Sequence, residues 1–98
     1  MELNMKPKFE LGQVVMTIGV HTNYKEDGPF AMFVNRSLGR YTQCDWGDTC
    51  EEDAEQNDIS VAQGERILAV YKHVSGKTIW IITEWDRSVT TILFPSEY

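Results

Sequence analysis

The chain has 98 residues and a mass of 11.3 kDa, with 42% apolar and 24% charged residues. This length suits one small domain, and the apolar content is too high for a disordered chain. The net charge of -6 counts against general nucleic-acid binding and against adhesion to anionic membranes, because both need a basic surface.

The negative charge is concentrated in one short segment. Residues 44–58, which we call the acidic segment, carry seven acidic and no basic side chains, whereas residues 1–43 and 59–98 are each within one charge of neutrality. The acidity therefore describes a patch rather than the whole surface.

The sequence predicts neither a targeting signal nor a disulfide framework. No apolar run reaches the roughly 18 residues of a membrane span, and residues 1–9 lack the apolar stretch of a signal peptide, so we expect a cytoplasmic protein. Two cysteines, Cys44 and Cys50, are too few for a disulfide scaffold and are expected to be reduced thiols. His21 and His73 lie far from both in sequence, so no metal site and no cofactor are predicted.

The N-terminal part predicts an arm, a strand and a loop. Residues 1–11 are polar and contain Pro7, which indicates a flexible arm before a single domain over residues 12–98. The β-rich run QVVMTI at 13–18, between two glycines, predicts a strand. The polar residues 22–28 predict a loop with at most one helical turn.

An amphipathic helix is predicted over residues 29–41. Pro29 suits the first helical position, where its missing N–H would be unpaired anyway. Apolar residues then recur every three or four positions and form one stripe: Phe30, Phe33, Val34, Leu38 and Tyr41.

A short acidic helix is predicted from about Cys50 to Asn57. Thr49 and Glu52 have the spacing of a capping box. The carboxylates that follow Cys50 suit the positive end of the helix dipole.

The C-terminal part predicts an antiparallel meander. Strands are predicted at 66–73, 77–84 and 88–94, joined by two-residue turns at 75–76 and 86–87. The predicted fold class is therefore α+β: three C-terminal strands plus an N-terminal strand in an antiparallel sheet, packed against the amphipathic helix and the short acidic helix.

These turns set a predicted register. They place Tyr71 opposite Trp80 and Ile81 opposite Ile92. In this register, both faces of the predicted sheet are apolar. A half-solvated antiparallel sheet would alternate apolar and polar residues, so each face must be covered. Helix 29–41 can cover one face, and the N-terminal strand, the acidic helix or a partner chain is left for the other.

The acidic segment is the first candidate site, and it has three interpretations. Its carboxylates can mimic nucleic-acid phosphates toward a basic partner, bind calcium, or form an ordinary solvated helix start. The calcium interpretation is weak, because Gly47 and Thr49 occupy positions where a calcium loop needs oxygen ligands. The candidate partner-binding residues are Asp45, Trp46, Asp48, Glu51, Glu52, Asp53, Glu55 and Asp58.

Aromatic residues provide two further candidates. Trp46 stands in a polar turn, where it either folds back to cap the core or forms an exposed interface anchor. Tyr71 and Trp80, as a predicted cross-strand pair, either pack within the sheet or form a self-association face.

Catalytic chemistry has no motif in this sequence. Neither His21 nor His73 stands beside a recognisable nucleophile, and the glycines show no phosphate-binding pattern. No catalytic residue is predicted.

Three stretches of the sequence share a distinctive pattern: CDWGD at 44–48, Asn57-Asp58, and IWIITEWDRSVTTILFPSEY at 79–98. They resemble a family of uncharacterised small proteins from bacterial plasmids and integrated mobile elements, and the likeness covers most of residues 11–98. This family usually has a glycine where the chain has Cys44. The resemblance implies a role in element maintenance or in blocking host defence, and it supplies no catalytic residue.

The leading functional hypothesis is a non-enzymatic protein-binding module of a mobile element. More specifically, the module is predicted to be an acidic inhibitor of a nucleic-acid-binding host-defence protein. Its partner is then a protein with a basic surface. The module itself is expected to bind neither nucleic acid nor membrane directly. A structural or regulatory homodimer, paired through Tyr71 and Trp80, is the alternative. An enzyme acting on a small ligand is a third hypothesis, and it would need a concave pocket with convergent polar groups.

Overall fold

The computed structural model describes residues 6–98, and this part of the chain has the predicted α+β fold. Its elements in chain order are β1 (Gln13–Met16), α1 (Ile18–Glu26), α2 (Gly28–Thr42), α3 (Glu51–Gln63), β2 (Ile67–Lys72), β3 (Thr78–Thr83), β4 (Val89–Leu93) and a 3₁₀ turn at Pro95–Glu97.

The four strands form one mixed sheet in the order β1-β4-β3-β2. Strands β2, β3 and β4 form the predicted antiparallel meander. Strand β1 joins the sheet beside β4 but runs parallel to it, so the prediction of an antiparallel sheet is wrong at this edge. Parallel neighbours need a long crossover connection, and the helical part of the chain between β1 and β4 provides it.

Helix α1 occupies residues for which the sequence predicts the end of a strand and a loop. It runs over Ile18–Glu26 and buries only Val20, so it lacks the apolar stripe by which a helix is recognised. Its first turn is stabilised from the other end of the chain, because the Glu97 carboxylate accepts a hydrogen bond from the Gly19 amide at 2.9 Å.

Helix α2 confirms its prediction almost to the residue. The Asp27 side chain caps it by accepting a hydrogen bond from the Phe30 amide at 3.1 Å, and Pro29 lies in its first turn. Its buried residues lie on one stripe that faces the sheet: Phe30, Val34, Ser37 and Tyr41.

Helix α3 is longer than predicted. The sequence predicts an end at Asn57, but the helix continues to Gln63 and stops at Gly64, whose left-handed conformation (φ 71°) ends it. Asn57 is buried at the sheet edge instead of facing solvent in a turn, which explains why an apparent stop signal lies inside the helix.

The predicted capping box of α3 is also wrong. Cys50 is the N-cap residue and makes no side-chain capping bond. The Thr49 hydroxyl instead donates to the Trp46 carbonyl at 2.6 Å and accepts a hydrogen bond from the Val70 amide at 2.8 Å. Thr49 therefore links the turn before α3 to strand β2.

The register of the first hairpin differs from the prediction by one residue. Tyr71 faces Ile79, and Val70 faces Trp80, so the predicted Tyr71–Trp80 pair does not form. The loop between the strands is longer than the predicted two-residue turn and contains Gly76 at φ 98°, which suits a three-residue hairpin loop. Because side chains alternate along a strand, this slip moves every residue of β2 to the opposite face.

The second hairpin has the predicted register. Ile81 faces Ile92, and Thr83 faces Thr90. The sheet consequently has two faces that differ from those predicted only in β2. The core face carries Ile67, Ala69, Tyr71, Ile79, Ile81, Thr83, Thr90 and Ile92, and the outer face carries Leu68, Val70, Trp80, Ile82 and Leu93.

The three described helices all contribute to the core cluster on the core face. Val20 of α1 and Phe30, Val34 and Tyr41 of α2 are buried in it, and α3 packs Ala54 against it. The outer-face residues are not part of this cluster. The sequence leaves the N-terminal strand, the acidic helix or a partner chain to cover the second face. Within residues 6–98, β1 lies in the sheet itself and α3 packs Ala54 against the core cluster, while Ile82 and Leu93 of the outer face are nonetheless buried.

A chain of hydrogen bonds crosses the core. Tyr41 Oη lies 2.7 Å from Thr83 Oγ1, which lies 2.7 Å from Thr90 Oγ1. Thr90 donates to the Leu11 carbonyl at 2.7 Å, and since each hydroxyl has one proton, Thr83 donates to Thr90 and Tyr41 to Thr83. Burial raises the pKa of Tyr41 well above its ordinary value, which keeps this donor protonated.

Side chains and a turn occupy the outer edge of β2. The Asn57 amide group donates to the Leu68 carbonyl at 2.9 Å and accepts from the Leu68 amide at 3.3 Å. Thr49 accepts from the Val70 amide, and the Asp48 amide donates to the Val70 carbonyl at 2.8 Å. The backbone of this edge strand is therefore hydrogen-bonded without a neighbouring strand.

The described part of the predicted arm, residues 6–11, lies against the domain. The Phe9 ring contacts Tyr41 at a centroid distance of 5.4 Å and Trp46 at 6.1 Å. The Lys8 amide donates to the Thr42 carbonyl at 2.8 Å. Residues 1–5 of the predicted arm lie outside the described residues.

Candidate protein-binding surface

The structure divides the acidic segment into residues that hold the fold together and residues that face solvent. Asp45 belongs to the first group: Arg40 Nε and Nη2 donate to its two carboxylate oxygens at 2.9 and 3.2 Å. This hydrogen-bonded guanidinium lowers the pKa of Asp45. Asp48 accepts a hydrogen bond from the Lys72 amide at 2.8 Å, and so fixes the turn to the end of β2.

Trp46 caps the core rather than forming an exposed anchor. Its side chain is 6% exposed, it packs edge-on against Tyr41 at 5.5 Å, and its indole Nε1 donates to Asp58 at 2.9 Å. Gly47 follows at φ 63°, and a Cβ there would lie 2.3 Å from the Tyr71 ring. Only glycine fits this close approach, which explains the Trp-Gly pair.

Four carboxylates of the acidic segment remain exposed on the first turns of α3. Within residues 6–98, none of them takes part in an ion pair or an inter-residue side-chain hydrogen bond. Three of them lie in the first turn, where the helix dipole favours negative charge. These residues, which we call the acidic helix start, are Glu51, Glu52, Asp53 and Glu55.

Tyr71 and Trp80, the predicted self-association pair, lie on opposite faces of the sheet. Tyr71 is fully buried on the core face, and its hydroxyl donates to the Asp45 carbonyl at 2.8 Å. Burial raises the pKa of Tyr71 far above its ordinary value. Trp80 lies half-buried on the outer face. The two rings cannot share one association surface, because the sheet separates them.

Two aromatic rings, Trp80 and Tyr98, pack together at the outer face, and the exposed Trp85 stands in the turn that follows β3; we call these three residues the aromatic patch. The Tyr98 ring packs edge-on against Trp80 at 5.4 Å, and the Arg66 guanidinium lies 5.4 Å from the centroid of the same Tyr98 ring. Arg66 Nε also lies 3.5 Å from Glu84 Oε1, and Glu84 directly precedes Trp85. Trp85 and Tyr98 are both 67% exposed, so the patch offers large apolar rings to solvent.

Arg66 connects the aromatic patch to the acidic helix start. A surface groove of about 270 Å³ lies between β2 and α3 and is lined by Asp53, Gln56, Asn57, Arg66 and Leu68. Arg66 therefore lies beside both an aromatic ring, that of Tyr98, and an exposed carboxylate, that of Asp53.

Two residues of this surface, Trp85 and Tyr98, are not among the predicted site residues. A signal for Trp85 was available, since it stands in the polar turn EWDRS as Trp46 stands in DWGD. The two tryptophans differ because Trp46 finds a hydrogen-bond acceptor on Asp58 and space beside Gly47. That difference depends on tertiary contacts and is invisible in the local sequence.

Groups that carry other chemistries are dispersed. Among residues 6–98, no group of three or more His, Cys, Asp and Glu side chains is placed to hold a metal ion. Cys44 and Cys50 are both free thiols, and burial raises the pKa of Cys44. His73 packs against Phe33 at 4.7 Å and hydrogen-bonds Ser75. No helix in the described part of the chain has the length and apolarity to cross a membrane.

No protein-family model, curated protein or solved structure matches the chain. The likeness to mobile-element proteins therefore stays a prediction, and the function is inferred from the surface described above.

Proposed function

We propose that this protein is a non-enzymatic protein-binding module. Its docking surface combines the aromatic patch with the acidic helix start. The observation that carries the proposal is their juxtaposition around Arg66, which contacts Tyr98 and also lines the groove beside Asp53.

The aromatic patch provides the apolar part of the interface. Tryptophan and tyrosine are enriched among the residues that dominate binding energy, and they supply large contact areas at a low cost in side-chain entropy. Trp85, with two thirds of its surface in solvent, is the best placed anchor.

The acidic helix start sets the charge of the partner. Exposed carboxylates that form no ion pair with the described residues attract a basic surface and speed its approach. The resemblance to mobile-element proteins suggests which basic surface this is, a host-defence protein that normally holds nucleic acid. Carboxylates on one helical turn would then occupy the positions of phosphates.

The proposal is tested by affinity capture from a bacterial lysate at low salt with the wild-type chain and with the variant E51Q/E52Q/D53N/E55Q. We expect a specific protein to be retained by the wild type and lost with the variant. Binding of the purified partner should weaken about thirtyfold or more in W85A, since truncation of an interface anchor costs at least about 2 kcal/mol. Raised salt should also weaken it.

The matched control compares capture by the double variant E10Q/E26Q with capture by the double variant E52Q/E55Q. Both pairs remove two exposed charges, but only the second lies on the proposed surface. Equal capture by E10Q/E26Q and E52Q/E55Q would refute the proposal, and circular dichroism of each variant would confirm that it is folded.

A homodimer through the outer face is the second candidate function. It is favoured by Leu68, Val70 and Trp80, which keep apolar surface in solvent on the outer face, although Ile82 and Leu93 on the same face are buried. Tyr71 no longer contributes, because it is buried. Light scattering distinguishes this candidate, since it predicts a dimer that W80A converts to a monomer.

A further inference from the structure

Helix α2 exposes a stripe that is both apolar and basic. Met32 is 65% exposed, and Arg36 and Arg40 follow at intervals of four residues on the side away from the buried stripe. Arg36 makes no ion pair with the described residues. Arg40 uses Nε and Nη2 for Asp45, which leaves Nη1 free of that contact.

This stripe borders a groove of about 390 Å³ between α2 and the hairpin that joins β2 and β3. The hairpin side supplies Lys72 and Val74, and Val74 is 99% exposed. The groove therefore combines an apolar floor with positive charge. A matching occupant would be a short acidic segment that carries an apolar side chain.

Helix α3 presents such a segment. Ile59 is 46% exposed, and Glu55 and Glu52 lie one and two turns before it on the same outward side of the helix. The order along α3 is acidic, acidic, apolar, whereas the order along α2 is apolar, basic, basic. Two helices with these orders are complementary when they run antiparallel.

We propose that α3 of a second copy of this chain docks antiparallel against the exposed stripe of α2. At a rise of about 1.5 Å per residue, the three positions on α2 lie about 6 and 12 Å apart, and those on α3 lie about 6 and 10.5 Å apart. Ile59 then meets Met32 while Glu55 meets Arg36.

A second copy fits this groove better than a nucleic acid does. Both complementary stripes belong to the same chain, and the groove needs an apolar side chain that a phosphate backbone does not offer. The net charge of -6 also repels a long polyanion.

This inference goes beyond the proposed function, because it assigns a second surface, on α2. The acidic helix start takes part in both, so self-association and partner binding compete. The variant R36E separates them, since it changes α2 and leaves every carboxylate of α3 in place.

The test is sedimentation equilibrium of the purified chain over a range of concentrations. We expect the average mass to rise above the monomer mass of 11.3 kDa. R36E and E55R should each weaken association about tenfold or more, because an attractive pair becomes repulsive. The double variant R36E/E55R should restore association to within about threefold of the wild type, because the pair is attractive again in reversed order. I59S should weaken it without any change in charge.

The controls are K25E, an exposed charge reversal on α1, and W80A on the outer face, and both should associate as the wild type does. A wild-type chain that stays monomeric at millimolar concentration would overturn the proposal. So would a double variant no better than R36E alone, with circular dichroism showing both to be folded. Loss of association in W80A but not in R36E would assign the dimer to the outer face instead.

Discussion

Tyr41, Thr83 and Thr90 satisfy their hydroxyl groups with one another inside an otherwise apolar core. The direction of donation is settled by the last acceptor, the Leu11 carbonyl, which has no proton to give. Each member is both acceptor and donor except Tyr41, which starts the chain. A change in the middle therefore affects both neighbours.

Replacing Thr83 by valine should lower the free energy of unfolding by about 1–3 kcal/mol, because it leaves the Tyr41 donor without its acceptor and Thr90 without its donor at nearly constant volume. Y41F removes only the first donor and should cost less. Urea denaturation of the two variants measures both values. If T83V were as stable as the wild type, the hydrogen-bonded chain would contribute nothing to folding.

Cys44 occupies a position that its backbone assigns to glycine. Its φ of 63° is left-handed, which costs an ordinary side chain roughly 1 kcal/mol.

The variants C44G and C44A isolate this effect, since both lose the thiol and its packing. We expect C44G to be more stable than C44A by about 1 kcal/mol, which thermal denaturation can resolve. The opposite order would show that the turn relaxes to a right-handed conformation without cost.

Among the elements, α1 depends most on a distant residue. The Glu97 carboxylate accepts hydrogen bonds from the Thr17 hydroxyl and from the amides of Gly19 and Phe94, the last two at 2.9 Å. It thereby joins the start of α1 to the turn after β4. These hydrogen bonds, that from Thr17 foremost, lower the pKa of Glu97 below its ordinary value of 4.5.

A lowered pKa in the folded state fixes the direction of the pH dependence. The stabilisation by Glu97 is present above pH 4.5 and is lost as the pH falls below it, because the unfolded chain then binds the proton more readily. E97Q should therefore melt below the wild type at pH 7, and the difference should be smaller at pH 3. E10Q is the control, and a constant difference between E97Q and the wild type at both pH values would contradict the carboxylate role.

The elements that could be predicted are those specified by neighbouring residues. Helix α2 has its own cap and apolar stripe, and the second hairpin has its own turn. Helix α1 could not be predicted, because its stabilising carboxylate on Glu97 lies at the other end of the chain. The register of β2 depends on how the loop uses Gly76, and a shift of one residue there separated Tyr71 from Trp80.

Part of the candidate surface could likewise be predicted from the sequence, and part could not. The exposed carboxylates of the acidic helix start lie where the charge pattern indicates. Trp46, Asp48 and Asp58, in contrast, stabilise the fold. Trp46 is buried and its indole N–H donates to Asp58, while Asp48 accepts a hydrogen bond from the backbone at the edge of the sheet. The exposure of Trp85 and Tyr98 became apparent only from the fold, as did the contact of Tyr98 with Arg66.

At the scale of the whole molecule, charge is segregated rather than balanced. The negative excess lies on α3, while Arg36 and Lys72 border a groove on the other side of the turn at 45–49. Asp45 and Arg40 join the two regions. The molecule therefore presents one surface to cations and another to anions.

The side-chain bonding along the outer edge of β2 has a consequence for how this protein meets other chains. An open edge strand invites another strand to pair with it, and such pairing leads to fibres. Here Asn57, Thr49 and Asp48 already occupy backbone groups of that edge, and the opposite edge strand, β1, has only four residues. We therefore expect partners to be recognised by side chains rather than by strand addition, and the folded protein should not form fibres through its sheet edges.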